Sequence, residues 1–163
     1  MPKLVNIVVQ IPTMSFIKII IHCIWSTKNR IPFLKSPEFR NELWDHIREN
    51  SKKKNIYIDT INGYDEHCHC LISLKSDQCI KDVLQLIKGE SSRWINLRGG
   101  FTNSFASKFE WQDEYLAISV SESNLAMVRE YIKNQERHHQ KKSFEEEYKS
   151  FVEKPGFYQI RRG

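Results

Sequence analysis

Gly63-Tyr64-Asp65-Glu66-His67-Cys68-His69-Cys70-Leu71-Ile72-Ser73-Leu74 is the stretch on which the fold and the chemistry both turn. From His67 to Leu74 it has strand character, and successive side chains of a strand leave on opposite faces. Cys68, Cys70, Ile72 and Leu74 then form one apolar row directed at a core. His67 and His69 share the other face, about 7 Å apart along the strand, close enough for two imidazoles to converge on one ion. Neutral imidazole is a common nitrogen ligand of divalent metals. Two ordinary solvent-facing histidines would show the same spacing, so the pair alone leaves metal binding open. A zinc site that adds Cys68 and Cys70 is opposed by the alternation, because tetrahedral zinc needs its ligands on one side. The two cysteines read instead as small core residues.

Working outward, Phe16 to Ser26 is rich in Ile and apolar on both alternating faces, which predicts a central strand broken by Lys28-Asn29-Arg30-Ile31-Pro32. Ser36 to Ser51 reads as a helix, with Pro37 in its first turn and Phe39, Leu43, Trp44 and Ile47 along one side. Asn55 to Ile61 is a second strand, Asn62-Gly63 a hairpin-type turn, and His67 to Leu74 the third strand. Asp77 to Leu97 is a long helix, with Ile80, Val83, Leu84, Ile87 and Trp94 at helical spacing and Gly99-Gly100 at its end. Trp111 to Val120 is a fourth strand. Ser121 or Ser123 caps a last main helix to about Gln140, and the remainder, with Pro155-Gly156, reads as a short helix and tail. The order β-α-β-β-α-β-α predicts an α+β fold. Its first six elements follow the ferredoxin-like plan, an antiparallel sheet with two helices on one face. The opposite face is left open, and the last helix is expected to cover part of it.

The chain has 163 residues, 40% hydrophobic and 28% charged, which suits one folded domain over 1–163 and argues against disorder. The core is expected at about 16–140 and the C-terminal helix and tail at 141–163. A net charge of +5 is compatible with nucleic acid without requiring it. None of the four cysteines forms a CxxC pair, and the N-terminus lacks the features of a signal peptide. The longest apolar stretch, Ile17 to Trp25, is interrupted by Lys18 and His22 and is too short to span a bilayer. The expectation is a cytosolic protein with reduced thiols and no membrane association.

A second constellation is Tyr131-Ile132-Lys133-Asn134-Gln135. Tyr131 and Gln135, four apart, share a helical face, and Met127 extends that stripe. The Gln135 amide oxygen is a candidate metal ligand. The Tyr131 phenol is a candidate nucleophile toward a phosphodiester whose developing charge a divalent ion neutralises. A phosphotyrosine stores the bond energy, so a strand can be rejoined without ATP. An amphipathic helix packing a tyrosine ring with its hydroxyl wet would look the same.

Taken together, these motifs resemble the single-tyrosine transposases of the HUH superfamily, of the insertion-sequence 200/605 type, and their relatives that mobilise repeated palindromes. His67-Cys68-His69 looks like the His-hydrophobic-His motif. Ser26-Thr27-Lys28-Asn29-Arg30, Lys88-Gly89-Glu90-Ser91-Ser92-Arg93 and Tyr131-Ile132-Lys133-Asn134-Gln135 resemble the family in the same order, over about Phe16 to Gln140. The resemblance implies a transposase acting on single-stranded DNA with a hairpin near the cut, and Mg²⁺ or Mn²⁺ as cofactor. It implies cleavage to a 5′-phosphotyrosine and a free 3′-hydroxyl. His67, His69 and Gln135 match the metal ligands and Tyr131 the nucleophile. A homodimer whose tyrosine helix acts in trans is also implied, although the palindrome-mobilising relatives include monomers. So is a prokaryotic, cytoplasmic location at the nucleoid.

Lys28, Arg30, Lys88, Arg93, Arg129 and Lys133 are the basic residues nearest these motifs and the candidate phosphate contacts. Trp25, Trp94 and Trp111 are candidate base-stacking residues that would equally serve a core, and Arg137, His138, His139, Lys141 and Lys142 form a basic run. Three other functions compete. A non-catalytic ferredoxin-like nucleic-acid binder would show stacking aromatics where the histidines stand. A replication-initiator or relaxase-type HUH nickase is usually larger or carries a second tyrosine nearby. A metallohydrolase would use the His pair with Glu66 or Asp65.

Overall fold

The computed structural model describes residues 15–99 and 108–154. Its strands are β1 (Ile19–Ser26), β2 (Tyr57–Tyr64), β3 (His67–Leu74) and β4 (Leu116–Ser119), with helices α1 (Pro37–Lys53) and α2 (Ile80–Arg98) between them. The sheet order is β2-β3-β1-β4, antiparallel throughout, which is the ferredoxin-like arrangement. Three shorter helices follow: α3 (Leu125–Lys133), α4 (Gln135–His139) and α5 (Phe144–Val152).

The pleat divides the sheet as the alternation requires. Cys23, Trp25, Cys68, Cys70 and Ile72 pack with Leu43, Trp44 and Ile47 of α1 and Val83, Leu84, Ile87 and Ile95 of α2. The Ser36 hydroxyl starts α1 by accepting from the Phe39 amide. On the other face, Ile20 and Leu71 meet Leu125 and Ile132 of α3, and Ile24 and Leu116 meet Phe144 of α5. Burying a side chain such as Ile132 contributes about 1.5–3 kcal/mol, so α3 is held to the sheet by packing.

Several boundaries differ from expectation. β1 starts at Ile19, which pairs with Leu74 at the end of β3; Phe16 and Ile17 lie beyond that register and are exposed. Asn62-Gly63 is not the turn: Asn62 pairs with His69 and Gly63 with Cys68, and the chain turns at Asp65-Glu66. The carbonyls of that turn accept from the amides of Leu34 and Thr27. Gly63 answers a close approach instead, since a Cβ there would stand 2.1 Å from the His67 carbonyl oxygen. β4 is short, and Trp111 joins only an isolated bridge to Thr27. Ser121 and Ser123 bond each other at 3.1 Å, and neither caps α3, whose N-cap position is Asn124.

The expected single helix to Gln140 is broken at Asn134, whose side-chain amide donates to the Glu130 carbonyl at 2.7 Å. Tyr131 therefore lies on α3 and Gln135 opens α4, and the tyrosine helix is not the last one. Met127 is exposed and does not extend the buried face. Gly99 ends α2 with φ +66°, whereas Gly100 and Pro155-Gly156 lie outside the described residues. Among the described residues no helix is long and apolar enough to cross a membrane.

Candidate metal centre and nucleophile

His67 and His69 sit on β3, a strand paired on both sides, so their backbone is fixed by two ladders. Both side chains are fully buried, with ring centroids 5.1 Å apart. Each ring has a partner on Nδ1. His67 Nδ1 lies 3.2 Å from a Glu66 carboxylate oxygen, and His69 Nδ1 lies 2.9 Å from His22 Nε2. Donation from both Nδ1–H groups leaves both Nε2 lone pairs directed at a common centre. Burial lowers the His22 pKa to about 4, so its ring is neutral and able to accept. Burial, then the neighbouring rings of His67 and His22, likewise hold His69 well below the ordinary histidine value.

The centre is closed by side chains from α3, α4 and α5. Gln135 Oε1 lies 3.2 Å from His67 Nε2 and 3.1 Å from His139 Nε2. The Gln135 amide nitrogen donates to the Tyr131 carbonyl at 3.3 Å, which turns the oxygen inward. Glu147, 1% exposed, lies 3.3 Å from His69 Nε2, 3.9 Å from His67 Nε2 and 3.1 Å from His139 Nε2. The Tyr131 hydroxyl donates to the same carboxylate. Burial pushes the Glu147 carboxyl up to about 8, with the Glu66 charge adding to the effect. Burial, then His67 and His138, lower His139 to about 4.

The donor set fits a divalent cation. One ligand atom from each of His67, His69, His139 and Glu147 lies within 4.8 Å of the others. His69 Nε2 is buried and has no hydrogen-bond partner, an arrangement that costs free energy unless a cation takes its lone pair. With Nδ1 protonated, His67 Nε2 and Gln135 Oε1 face each other as two acceptors, which a cation between them would reconcile.

The expected residues Tyr131, His67, His69 and Gln135 are thus brought together within one chain. Arg40 supports this side of the site. It is buried, and its guanidinium bonds the Leu34 carbonyl, Asp65 and Glu136, which ties α1 and the β2–β3 turn to α4. Three participants were not singled out from sequence. His22 carried a usable signal, since Ile20, His22 and Ile24 alternate onto the histidine face. His139 lies one turn beyond Gln135, inside what reads as a basic run; burial lowers both His138 and His139, so neither adds positive charge. Glu147 lies in the stretch expected to be tail and carried no signal.

The candidate phosphate contacts are spread more widely. Lys28 and Arg30 follow β1 at the His67 end of the sheet, 3.7 Å from Glu110 and Glu145 respectively. Arg129 makes two bonds to Asp59 on β2, at 2.8 and 2.6 Å, and Lys133 pairs with Glu130 at 3.3 Å. Lys88 and Arg93 stand on α2, across the sheet from the histidines, with Lys88 donating to the Asp113 carbonyl. Trp25 and Trp111 are core residues in edge-to-face contact, and Trp94 is stacked on Phe39 and His46, so none offers a free face for a base.

A family model described as "Transposase IS200 like" matches residues 15–135. The ISDra2 transposase TnpA of Deinococcus radiodurans is 28% identical over 123 residues, covering 70% of this chain and 81% of that protein. Among solved structures, a Deinococcus radiodurans candidate transposase superposes with a TM-score of 0.60 at 24% identity, covering 74% of this chain and 93% of that one. A REP-associated tyrosine transposase bound to a REP hairpin superposes with a TM-score of 0.56 at 16% identity, covering 77% and 72%. These two share the fold.

Proposed function

We propose that this chain, which belongs to the family of IS200-like transposases and is a DNA-processing enzyme of that kind, cleaves and rejoins single-stranded DNA through a 5′-phosphotyrosine on Tyr131. The observation that carries the reading is the convergence of the Tyr131 hydroxyl and the Gln135 oxygen on the buried His67–His69 pair. A divalent ion, Mg²⁺ or Mn²⁺, held by His67, His69 and Gln135 would neutralise charge developing on the scissile phosphate. Tyr131 gives up its hydroxyl proton and attacks phosphorus, the bond to the 3′ oxygen breaks, and that oxygen takes up a proton to leave as the 3′-hydroxyl. Glu147 holds the Tyr131 hydroxyl, and Glu66 and His22 orient the two imidazoles. The hairpin bound by the REP-associated neighbour supports hairpin-bearing element ends as the substrate class. Lys28, Arg30, Arg129 and Lys133 would contact its backbone, with Lys88 and Arg93 serving only DNA that wraps to the far face. The reaction belongs in a prokaryotic cytoplasm, at the nucleoid.

Cleavage of labelled single-stranded DNA carrying the element ends tests this reading. His67→Ala and His69→Ala should abolish cleavage and spare hairpin binding; undiminished cleavage by both variants in EDTA refutes it. The resemblance implies a homodimer with exchanged tyrosine helices, whereas here α3 lies on its own chain's β2 and β3. Mixing His67→Ala with Tyr131→Phe protein decides between the two. Restored cleavage means exchange in a dimer, and none from well-mixed subunits means a site built in cis.

A further inference from the structure

We propose that the metal centre extends beyond the histidine pair to His139 and Glu147, so that α5 supplies an anionic ligand and the site prefers Mn²⁺ or another transition metal to Mg²⁺. The proposal rests on the metal-dependent reading above and specifies its ligand set. Ligands bonded to one ion at about 2.0–2.2 Å stand roughly 3.4 Å apart when tetrahedral. The separations of Glu147 from His139, His69 and His67 are 3.1, 3.3 and 3.9 Å, which bracket that value. Glu147 and His139 are 1% and 2% exposed, and among the described residues no Lys or Arg pairs with Glu147. Once ionised, a carboxylate buried with no Lys or Arg beside it lacks a compensating charge, and a cation among these side chains supplies it. The orphaned His69 Nε2 faces the same point.

Packing that owes nothing to a metal holds Glu147 there. Phe144, three residues earlier on the same helical face, stacks on the His67 ring at 4.3 Å and is buried with Ile24 and Leu116. Ser143 and Glu146 form a reciprocal cap that fixes the first turn of α5. Both added ligands lie beyond residue 135, where the family match ends. Three imidazole nitrogens and one carboxylate, together with the Gln135 oxygen, suit a first-row transition metal, whereas Mg²⁺ favours oxygen ligands and retained water.

The test is titration of the metal-free full-length chain with Mn²⁺, followed by the electron paramagnetic resonance of the free ion, with Mg²⁺ as competitor. Wild type should bind one Mn²⁺, displaced by Mg²⁺ only in large excess. Glu147→Gln and His139→Ala, each confirmed folded by circular dichroism, should bind Mn²⁺ at least about tenfold more weakly. Glu147→Asp, which keeps the charge but withdraws it, should also bind more weakly. If His67→Ala loses binding while Glu147→Gln and Glu147→Asp match wild type, the ligand set stops at the histidines and Gln135, and this inference is overturned while the metal reading stands. If wild type binds no Mn²⁺, both are overturned.

Discussion

Replacing His22 by Leu removes one nitrogen acceptor behind the proposed metal site and puts an apolar side chain of similar bulk against Tyr131 and Phe151. His22 Nε2 is 2.9 Å from His69 Nδ1, and both rings are buried. Without it, His69 loses what fixes its proton on Nδ1. The ring can then place that proton on Nε2, in the form that cannot bind a metal. Leaving a buried donor unpaired costs about 1–3 kcal/mol. Loss of such an outer partner typically lowers metal affinity by about 10–100-fold, or roughly 1.4–2.7 kcal/mol. The two estimates agree, so Mn²⁺ affinity should fall within that range in His22→Leu, and His22→Gln, which keeps an acceptor oxygen, should recover part of it. Isothermal titration at neutral pH reads both. Because the His22 pKa is near 4, the deficit should be the same at pH 8 and pH 6. Affinity of His22→Leu within about twofold of wild type would refute the role assigned to this hydrogen bond.

Other outcomes follow from the same geometry. Gly63→Ala should destabilise the chain by roughly 1–3 kcal/mol or more in chemical denaturation, because its Cβ would meet the His67 carbonyl oxygen at 2.1 Å. Without metal, stability should peak near pH 6.5. Below that value unfolded histidines bind protons that folded His22 and His139 refuse. Above it, unfolded Glu147 is ionised while folded Glu147 keeps its proton up to about 8. Glu147→Gln should remove the fall in melting temperature between about pH 6.5 and 8, and a fall that persists there would contradict the assignment; the buried Cys23, Cys68 and Cys70 thiols, raised by burial, add a separate fall at higher pH. Asp59→Asn breaks the bonds to Arg129 that pin α3 to β2 and should speed amide exchange in α3. Arg129 holds the Asp59 carboxyl below its ordinary value, so this effect should be present above about pH 4 and vanish as the pH falls further.

Much of this site could be read from strand alternation. The pleat alone separates Cys68 and Cys70 from His67 and His69, and the structure puts the cysteines against α1 and α2 and the histidines on the other face. Tyr131 and Gln135 were legible as a pair because four residues make about one helical turn, and they reach one centre even across the break at Asn134. That break was not legible, since no Pro or Gly marks it: Asn134 leaves helical geometry at ψ 19° while its backbone and side-chain amides both bond the Glu130 carbonyl. The turn at Asn62-Gly63 misled because the same dipeptide serves a tight hairpin and a crowded strand pair, and only the register distinguishes them. Glu147 was invisible because nothing local marks a carboxylate that will be buried; its role comes from where Phe144 docks α5.

The measurement that bears most directly on the central claim is a denaturing gel of wild type and Tyr131→Phe, each incubated with Mg²⁺ or Mn²⁺ and single-stranded DNA bearing the element's own ends. Phe keeps the ring and removes only the hydroxyl, so fold and DNA affinity should survive while cleavage falls by orders of magnitude. Wild type should give a band that resists boiling in detergent and carries label only when the DNA piece 3′ of the cut is labelled, as a bond from Tyr131 to the 5′-phosphate requires. An equal adduct from Tyr131→Phe, or none from wild type, would contradict the account.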